Sequence, residues 1–164
     1  MKIAIITDQH FGARKSSRIF HDFFKRFYRN VFFPTLKERG ITTVLDLGDT
    51  FDNRRNLDIW AAQWATHNYF DVLKDMGVQV HALVGNHTAY FKNTNLVNTL
   101  VTTVGEYDNV TIYTKATEVE IGGLPILFIP WINEENNDET YDLIEKSKCP
   151  VAMGHLELNG FEAH

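Results

Sequence analysis

Four short apolar runs in this chain each end abruptly in a polar cluster, and this punctuation limits the fold more than any other feature. Residues 2–7 run into Asp8-Gln9-His10, and residues 42–47 into Gly48-Asp49-Thr50-Phe51-Asp52. Residues 78–84 run into Gly85-Asn86-His87, and residues 150–153 into Gly154-His155. The runs are rich in β-branched and apolar residues, which predicts buried strands. Helical spacing separates the first three, so the chain reads as an α/β domain whose first strands are parallel. Ligands of open α/β sheets bind beyond the carboxyl ends of the strands. The four clusters are therefore expected along one sheet edge.

The helical segments follow from spacing and stop signals. Residues 17–38 place Ile19, Phe23, Phe27 and Val31 at helical intervals as one apolar face. Ser16 or Ser17 would cap this helix, Gly40 would stop it, and Pro34 would kink or end it. Residues 57–76, closed by Gly77, form a second helix, residues 93–104 a shorter one and residues 137–147 a last one. Three runs at 110–113, 117–121 and 124–129, broken by turn residues including Gly122-Gly123, read as a meander. At 164 residues, with no linker or repeat, one domain is expected.

Composition narrows the class. With 44% hydrophobic and 23% charged residues the chain is neither disordered nor a disulfide scaffold. Its one cysteine, Cys149, has no internal partner, which fits a reducing compartment. No apolar stretch approaches the ~20 residues of a membrane helix, and the first apolar run is too short for a signal peptide. The chain reads as cytoplasmic, with no membrane partner. A net charge of −5 excludes a globally basic nucleic-acid binder. The charge is uneven, however. Residues 11–30 carry six basic residues against Asp22, and residues 106–145 ten acids against Lys115. A phosphate-rich partner could use the first segment, although a charge run is more often a solvated face.

The strand-end clusters make chemical sense as metal ligands. Asp8 and His10 are two apart, so in an extended segment both side chains point the same way. Asp49 could bridge two cations with its two oxygens, Asn86 offers a carbonyl oxygen and His155 an imidazole nitrogen. Mixed oxygen and nitrogen donors suit manganese, iron or zinc. Each fragment alone is weak; their order at successive strand ends carries the reading.

The motifs D-x-H, G-D-x-x-D, G-N-H and G-H, in this order, resemble the calcineurin-like metallophosphoesterases. Within them the likeness is to the SbcD and Mre-type DNA repair nucleases, and above all to the recombination endonuclease subunits of T-even-like phages. It is carried by ITTVLDLGDTFD (41–52), VGNH (84–87), IPWINEEN (129–136) and GHLELNGF (154–161). The resemblance implies an αββα sandwich, two divalent metal ions of manganese type, and exo- or endonucleolytic hydrolysis of DNA in recombination and repair. It also implies a coiled-coil ATPase partner of the SbcC kind and is compatible with a homodimer. Position by position, Asp8, His10 and Asp49 match ligands of one metal, and Asp49, Asn86 and His155 those of the other. His87 matches the histidine that stabilises the transition state or protonates the leaving group. A metallophosphatase or cyclic-nucleotide phosphodiesterase would share the metal motifs, and a non-catalytic subunit is a rival of another class.

Two departures stand out. Thr88 occupies the place of the acid that usually follows G-N-H and helps hold the histidine. The family's last G-x-H or G-H-x-H motif is not reached, and His164 does not replace it. Residues 1–164 are thus expected to be the N-terminal part of the nuclease domain. The sandwich would be incomplete at the C-terminus, with a second sheet starting at 110–129 and Ile126, Phe128 and Ile129 exposed at its edge.

The remaining candidates weigh against blander readings. His21 and His67 are expected to be solvated or satisfied, and His81 to pack mid-strand. Trp60 and Trp64, four apart, are expected in the core, whereas Trp131 either floors the cleft or packs beneath it. Asp52 would orient the site. Arg14, Arg54 and Arg55 are candidates for phosphate contact, with a solvated loop the alternative.

Overall fold

The first three apolar runs become adjacent parallel strands. In the computed structural model, which describes residues 1–157, these are β1 (Ala4–Ile6), β2 (Thr43–Asp46) and β3 (Gln79–Leu83). A fourth parallel strand, β4 (Val110–Tyr113), completes the sheet in the order β1-β2-β3-β4. Residues 158–161 of GHLELNGF, and His164, lie outside the described residues.

β4 corrects the expected meander. It pairs with β3 in parallel, from Val80↔Val110 to Leu83↔Tyr113. A run of four alternating residues encodes a strand but not its neighbour. β5 (Thr117–Ile121) and β6 (Leu124–Ile129) form a hairpin instead. Its turn residues Gly122 and Gly123 have φ of 59° and 82°, the primed-turn geometry that glycine permits. β7 (Val151–Gly154) returns through a helix to pair in parallel with β6. The second sheet is therefore β5-β6-β7, with β6 in the centre. Ile126, Phe128 and Ile129, expected at an exposed edge, are consequently buried, at 0%, 0% and 4% exposure.

The two sheets share a core. Leu45, Leu83 and Tyr113 of the first meet Ile121, Ile126 and Phe128 of the second. The other face of the first sheet carries Val44, Val80 and Ala82, which pack in one cluster with Tyr28, Leu36, Trp64, Tyr69, Phe70 and Leu73.

The helices supplying that cluster each contain a π turn. Helix α1 comprises Arg18–Phe27, a π turn at Tyr28–Phe32, and Phe33–Arg39. Pro34 does not end it. The residue sits at the second position after the wide turn, in the first turn of the α-helical segment Phe33–Arg39, where proline is best tolerated. Gly40 closes the helix with φ 62°. The apolar stripe read from spacing is on the wrong side: Ile19, Phe23, Phe27 and Val31 are exposed, whereas His21, Tyr28 and Phe32 are buried. The helix is phenylalanine-rich all round, so spacing alone could not choose its inner face. Helix α2 (Ile59–Ala65, a π turn at Thr66–Phe70, and Asp71–Asp75) starts from Asp58, whose side chain accepts from Trp60 and Ala61 N–H. Trp64 is core, as expected. Helix α3 spans only Thr99–Val104, capped by Asn98, and α4 spans Asn137–Lys146. Residues 93–98, expected in the third helix, form a loop whose asparagines bond to backbone carbonyls.

Candidate metal centre

The segments leaving β1 and β2 run side by side. Asp8 N–H donates to Gly48 O (3.0 Å), His10 N–H to Asp49 O (2.9 Å) and Phe11 N–H to Thr50 O (2.8 Å). Asp52 N–H returns a bond to Phe11 O (3.0 Å). Asp8, His10 and Asp49 have φ of 53°, 49° and 50°, a left-handed conformation that costs a non-glycine residue about 1–3 kcal/mol. Asp8 and His10 therefore meet through this curled backbone, not through the extended alternation suggested by their spacing. Two glycines clear the space. A Cβ on Gly48 would lie 2.6 Å from His155 Nδ1, and one on Gly85 would lie 2.2 Å from Asp49 Oδ1 and 2.5 Å from Asp49 N.

Asp8, His10, Asp49, Asn86, His87 and His155 line one cavity of about 420 Å³. His10 Nε2 lies 3.6 Å from Asp8 Oδ1 and 4.0 Å from Asp49 Oδ2. On the other side His155 Nε2 lies 2.9 Å from Asn86 Oδ1 and 3.3 Å from Asp49 Oδ2. Donor atoms held ~2.1 Å from a common ion, at ordinary coordination angles, are roughly 3.0–3.4 Å apart. The second set matches this spacing and the first is slightly wider. Asp49 Oδ1 accepts the His87 N–H (2.8 Å), so Oδ2 is the oxygen that faces both sets.

The chemistry of the donor set also fits a cation. His155 Nδ1 sits 3.0 Å from Leu47 O, which only accepts, so Nδ1 carries a proton. Nε2 then faces two acceptors, and only a proton or a cation there can satisfy all three. The electrostatics agree. Burial opposes the charged form of His155, but Asp49, Asp8 and the Leu47 carbonyl raise its pKa above the ordinary value. Burial works to raise the Asp49 carboxyl, yet His155 and the His87 amide and ring hold it below the carboxylate range.

His87 is oriented without the acid that Thr88 replaces. Its Nδ1–H donates to Asp52 O (3.0 Å), which leaves Nε2 free. Thr88 is buried and turns inward, its hydroxyl accepting from Gly85 N–H and donating to Gly85 O, both at 2.8 Å. The expected orienting role of Asp52 thus has a geometric form: its carbonyl holds His87, and its Oδ1 stands 3.2 Å from His10 Nδ1.

The arginines lie outside this cavity. Arg14 belongs to a left-handed turn at 14–16 and sits over Phe20, lining a separate cavity of about 550 Å³ that reaches Asp52. Arg55 is exposed. Arg54 Nη2 donates to the Asn86 carbonyl, and its guanidinium lies 5.2 Å from the Trp131 ring. His21 is satisfied in the core, between Ser17 O (2.8 Å) and Gly12 N–H (3.1 Å). His81 packs against Tyr113 (2.7 Å), and His67 pairs on the surface with Asp71 (3.0 Å). Sequence reasoning overlooked the support beneath the site, where Gln9 Nε2–H and Thr50 Oγ1–H donate to buried Asp46 at 2.8 and 3.0 Å. The signal was present: a carboxylate inside an apolar run is rare unless it has partners.

With this scaffold and these strand-end ligand candidates in place, the sequence profile of the calcineurin-like phosphoesterases matches residues 1–164. The chain belongs to this family. Among curated proteins it is 38% identical over 125 residues to exonuclease subunit 1 of Enterobacteria phage T4. That match takes in 76% of this chain and 37% of the relative, so the chain spans a little over a third of that protein's length. Two solved structures are similar. One is the protein of unknown function AQ665 from Aquifex aeolicus, with TM-score 0.45 and 17% identity over 96% of this chain and 80% of that one. The other is the Pseudomonas putida nuclease MPE, with TM-score 0.44 and 14% identity over 77% of this chain and 52% of that one. No helix among the described residues is long and apolar enough to cross a membrane.

Proposed function

We propose that this chain carries the catalytic site of a DNA exo/endonuclease subunit that acts in recombination and repair beside an SbcC-like ATPase. The observation behind the reading is the convergence of Asp49 Oδ2, Asn86 Oδ1 and His155 Nε2, with Nδ1 of His155 already committed. The name of the phage relative, an exonuclease subunit, supplies the substrate class and the expectation of a partner. In this reading Asp8, His10 and Asp49 hold one divalent ion, and Asp49, Asn86 and His155 a second, both manganese. When bound, such ions supply Lewis-acid charge to a phosphate and lower the pKa of water.

The chain's own groups do the rest. Asp52 fixes His87 through Nδ1, so Nε2 can deliver a proton to the departing 3′-oxygen. The His87 amide anchors Asp49 through Oδ1 and so fixes the direction of Oδ2. Arg14 and Arg55 remain available for flanking phosphates.

Manganese-dependent hydrolysis should favour single-stranded DNA over a small phosphomonoester. Asp49→Ala should abolish metal-dependent turnover, and His87→Ala should lower it by about 10²–10⁴-fold while leaving manganese binding in place. Preference for the phosphomonoester would make the protein a phosphatase. Unchanged turnover in Asp49→Ala would remove the site assignment.

A further inference from the structure

Arg54 is half-buried, two residues beyond the loop that ends at Asp52, and one arm of its guanidinium is already engaged. Nη2 donates to the backbone carbonyl of Asn86, Nη1 is buried with no hydrogen-bond partner among the described residues, and the guanidinium carbon lies 5.2 Å from the centroid of the Trp131 ring. Trp131 is itself fixed. Its N–H donates to Val84 O (2.8 Å), and its carbonyl accepts from Asn95 Nδ2 (2.8 Å) and Asn136 Nδ2 (3.1 Å). One side chain thus ties together the segments leaving β2, β3 and β6. A guanidinium packed in this way is not offered to solvent as a phosphate fork.

We infer that Arg54 is a positioning residue that acts through Asn86. It clamps the Asn86 peptide so that the side-chain Oδ1 stays 2.9 Å from His155 Nε2. The inference rests on the reading of Asn86 as a ligand, and it places Arg54 in the support of the second ion and not in contact with DNA. Lysine cannot reproduce the role, because it has neither the planar fork nor the stacking face.

The test compares Arg54→Gln, Arg54→Lys and Arg55→Gln with the unsubstituted chain, using Mn²⁺ titration calorimetry and amide hydrogen exchange of the metal-free proteins. Circular dichroism checks folding, and Arg54→Lys is the milder change should Arg54→Gln unfold. Both Arg54 variants should weaken one Mn²⁺ site about 10–100-fold, as loss of a group supporting a ligand typically does, and leave the other unchanged. They should also speed exchange at His87 N–H, which bonds to Asp49 Oδ1. Arg55→Gln should change neither readout. Wild-type Mn²⁺ affinity and exchange in both Arg54 variants would overturn the inference, as would a loss confined to single-stranded DNA affinity. Should the unsubstituted chain bind no Mn²⁺, the metal reading fails, and exchange alone decides the role of Arg54.

Discussion

Asp46 ends β2 three residues before Asp49 and is wholly buried. Gln9 and Thr50 donate to Oδ2, Gly48 N–H reaches Oδ1 at 3.4 Å, and the Tyr28 hydroxyl donates to the back of Gln9. Burial outweighs these donors and pushes the carboxyl from its ordinary 3.8 to about 7, with the charge of Asp8 acting in the same direction. The folded chain therefore keeps a proton that the unfolded chain releases near 3.8. The resulting stabilisation is full below that pH and is lost as pH rises through about 7. Asp46→Asn keeps an acceptor for Gln9 and Thr50 but cannot ionise. In thermal melts it should resemble the parent near pH 4 and exceed it at pH 8, by on the order of 1–4 kcal/mol. Parallel pH profiles for the two proteins would mean that the carboxyl is not held neutral. The ligand candidates were legible one by one because each stands at a strand end. Gln9 was not, since a residue between Asp8 and His10 looks like a spacer until the curled backbone turns it inward to Asp46 and Tyr28.

Elements were legible as types and less so as neighbours. All seven strands were readable from apolar runs, but β4 was assigned to the wrong sheet, because sheet membership depends on where the α3 crossover returns the chain. The same limit hid the inner face of α1. Its exposed and buried faces both carry large apolar residues, and only the sheet beneath distinguishes them. Phe23, 62% exposed, should tolerate serine with a stability change within about 0.5 kcal/mol. Tyr28→Phe, on the opposite face, removes the bond to Gln9 and should cost about 1 kcal/mol or more by denaturant melt. Asn98 is a cap of another kind. Its Oδ1 accepts Val101 N–H (2.9 Å) and its Nδ2 donates to Asn95 O (2.8 Å). Asn98→Ala should therefore cost about 1 kcal/mol or somewhat more. A neutral result would mean that α3 does not need its cap.

At the scale of the molecule, the site spans the seam between the sheets. Asp8, Asp49 and Asn86 follow β1, β2 and β3, whereas His155 follows β7 of the second sheet. Cross-ties hold the seam, with His155 Nδ1–H on Leu47 O at 3.0 Å and Trp131 N–H on Val84 O at 2.8 Å. An ion bound by both sheets should stabilise the fold by about 2.7 kcal/mol at a hundred times its Kd. For a chain of this size that raises Tm by roughly 5–11 °C. EDTA should reverse the shift, and His155→Ala should reduce it. A Tm indifferent to Mn²⁺ would contradict binding by both sheets.

The ligand spacing is therefore set at a distance. Leu45, Leu83 and Phe128 between the sheets fix how far β7 stands from β2 and β3, and with it the 3.3 Å from His155 to Asp49. These hydrophobic side chains act as shims behind the site. Thinning one, as in Phe128→Leu, lets the jaws drift, and a drift of ~1 Å is enough to spoil a coordination geometry. The affinity for a divalent ion thus becomes a caliper on the apolar interior, able to register a missing methylene in a protein that has not begun to unfold.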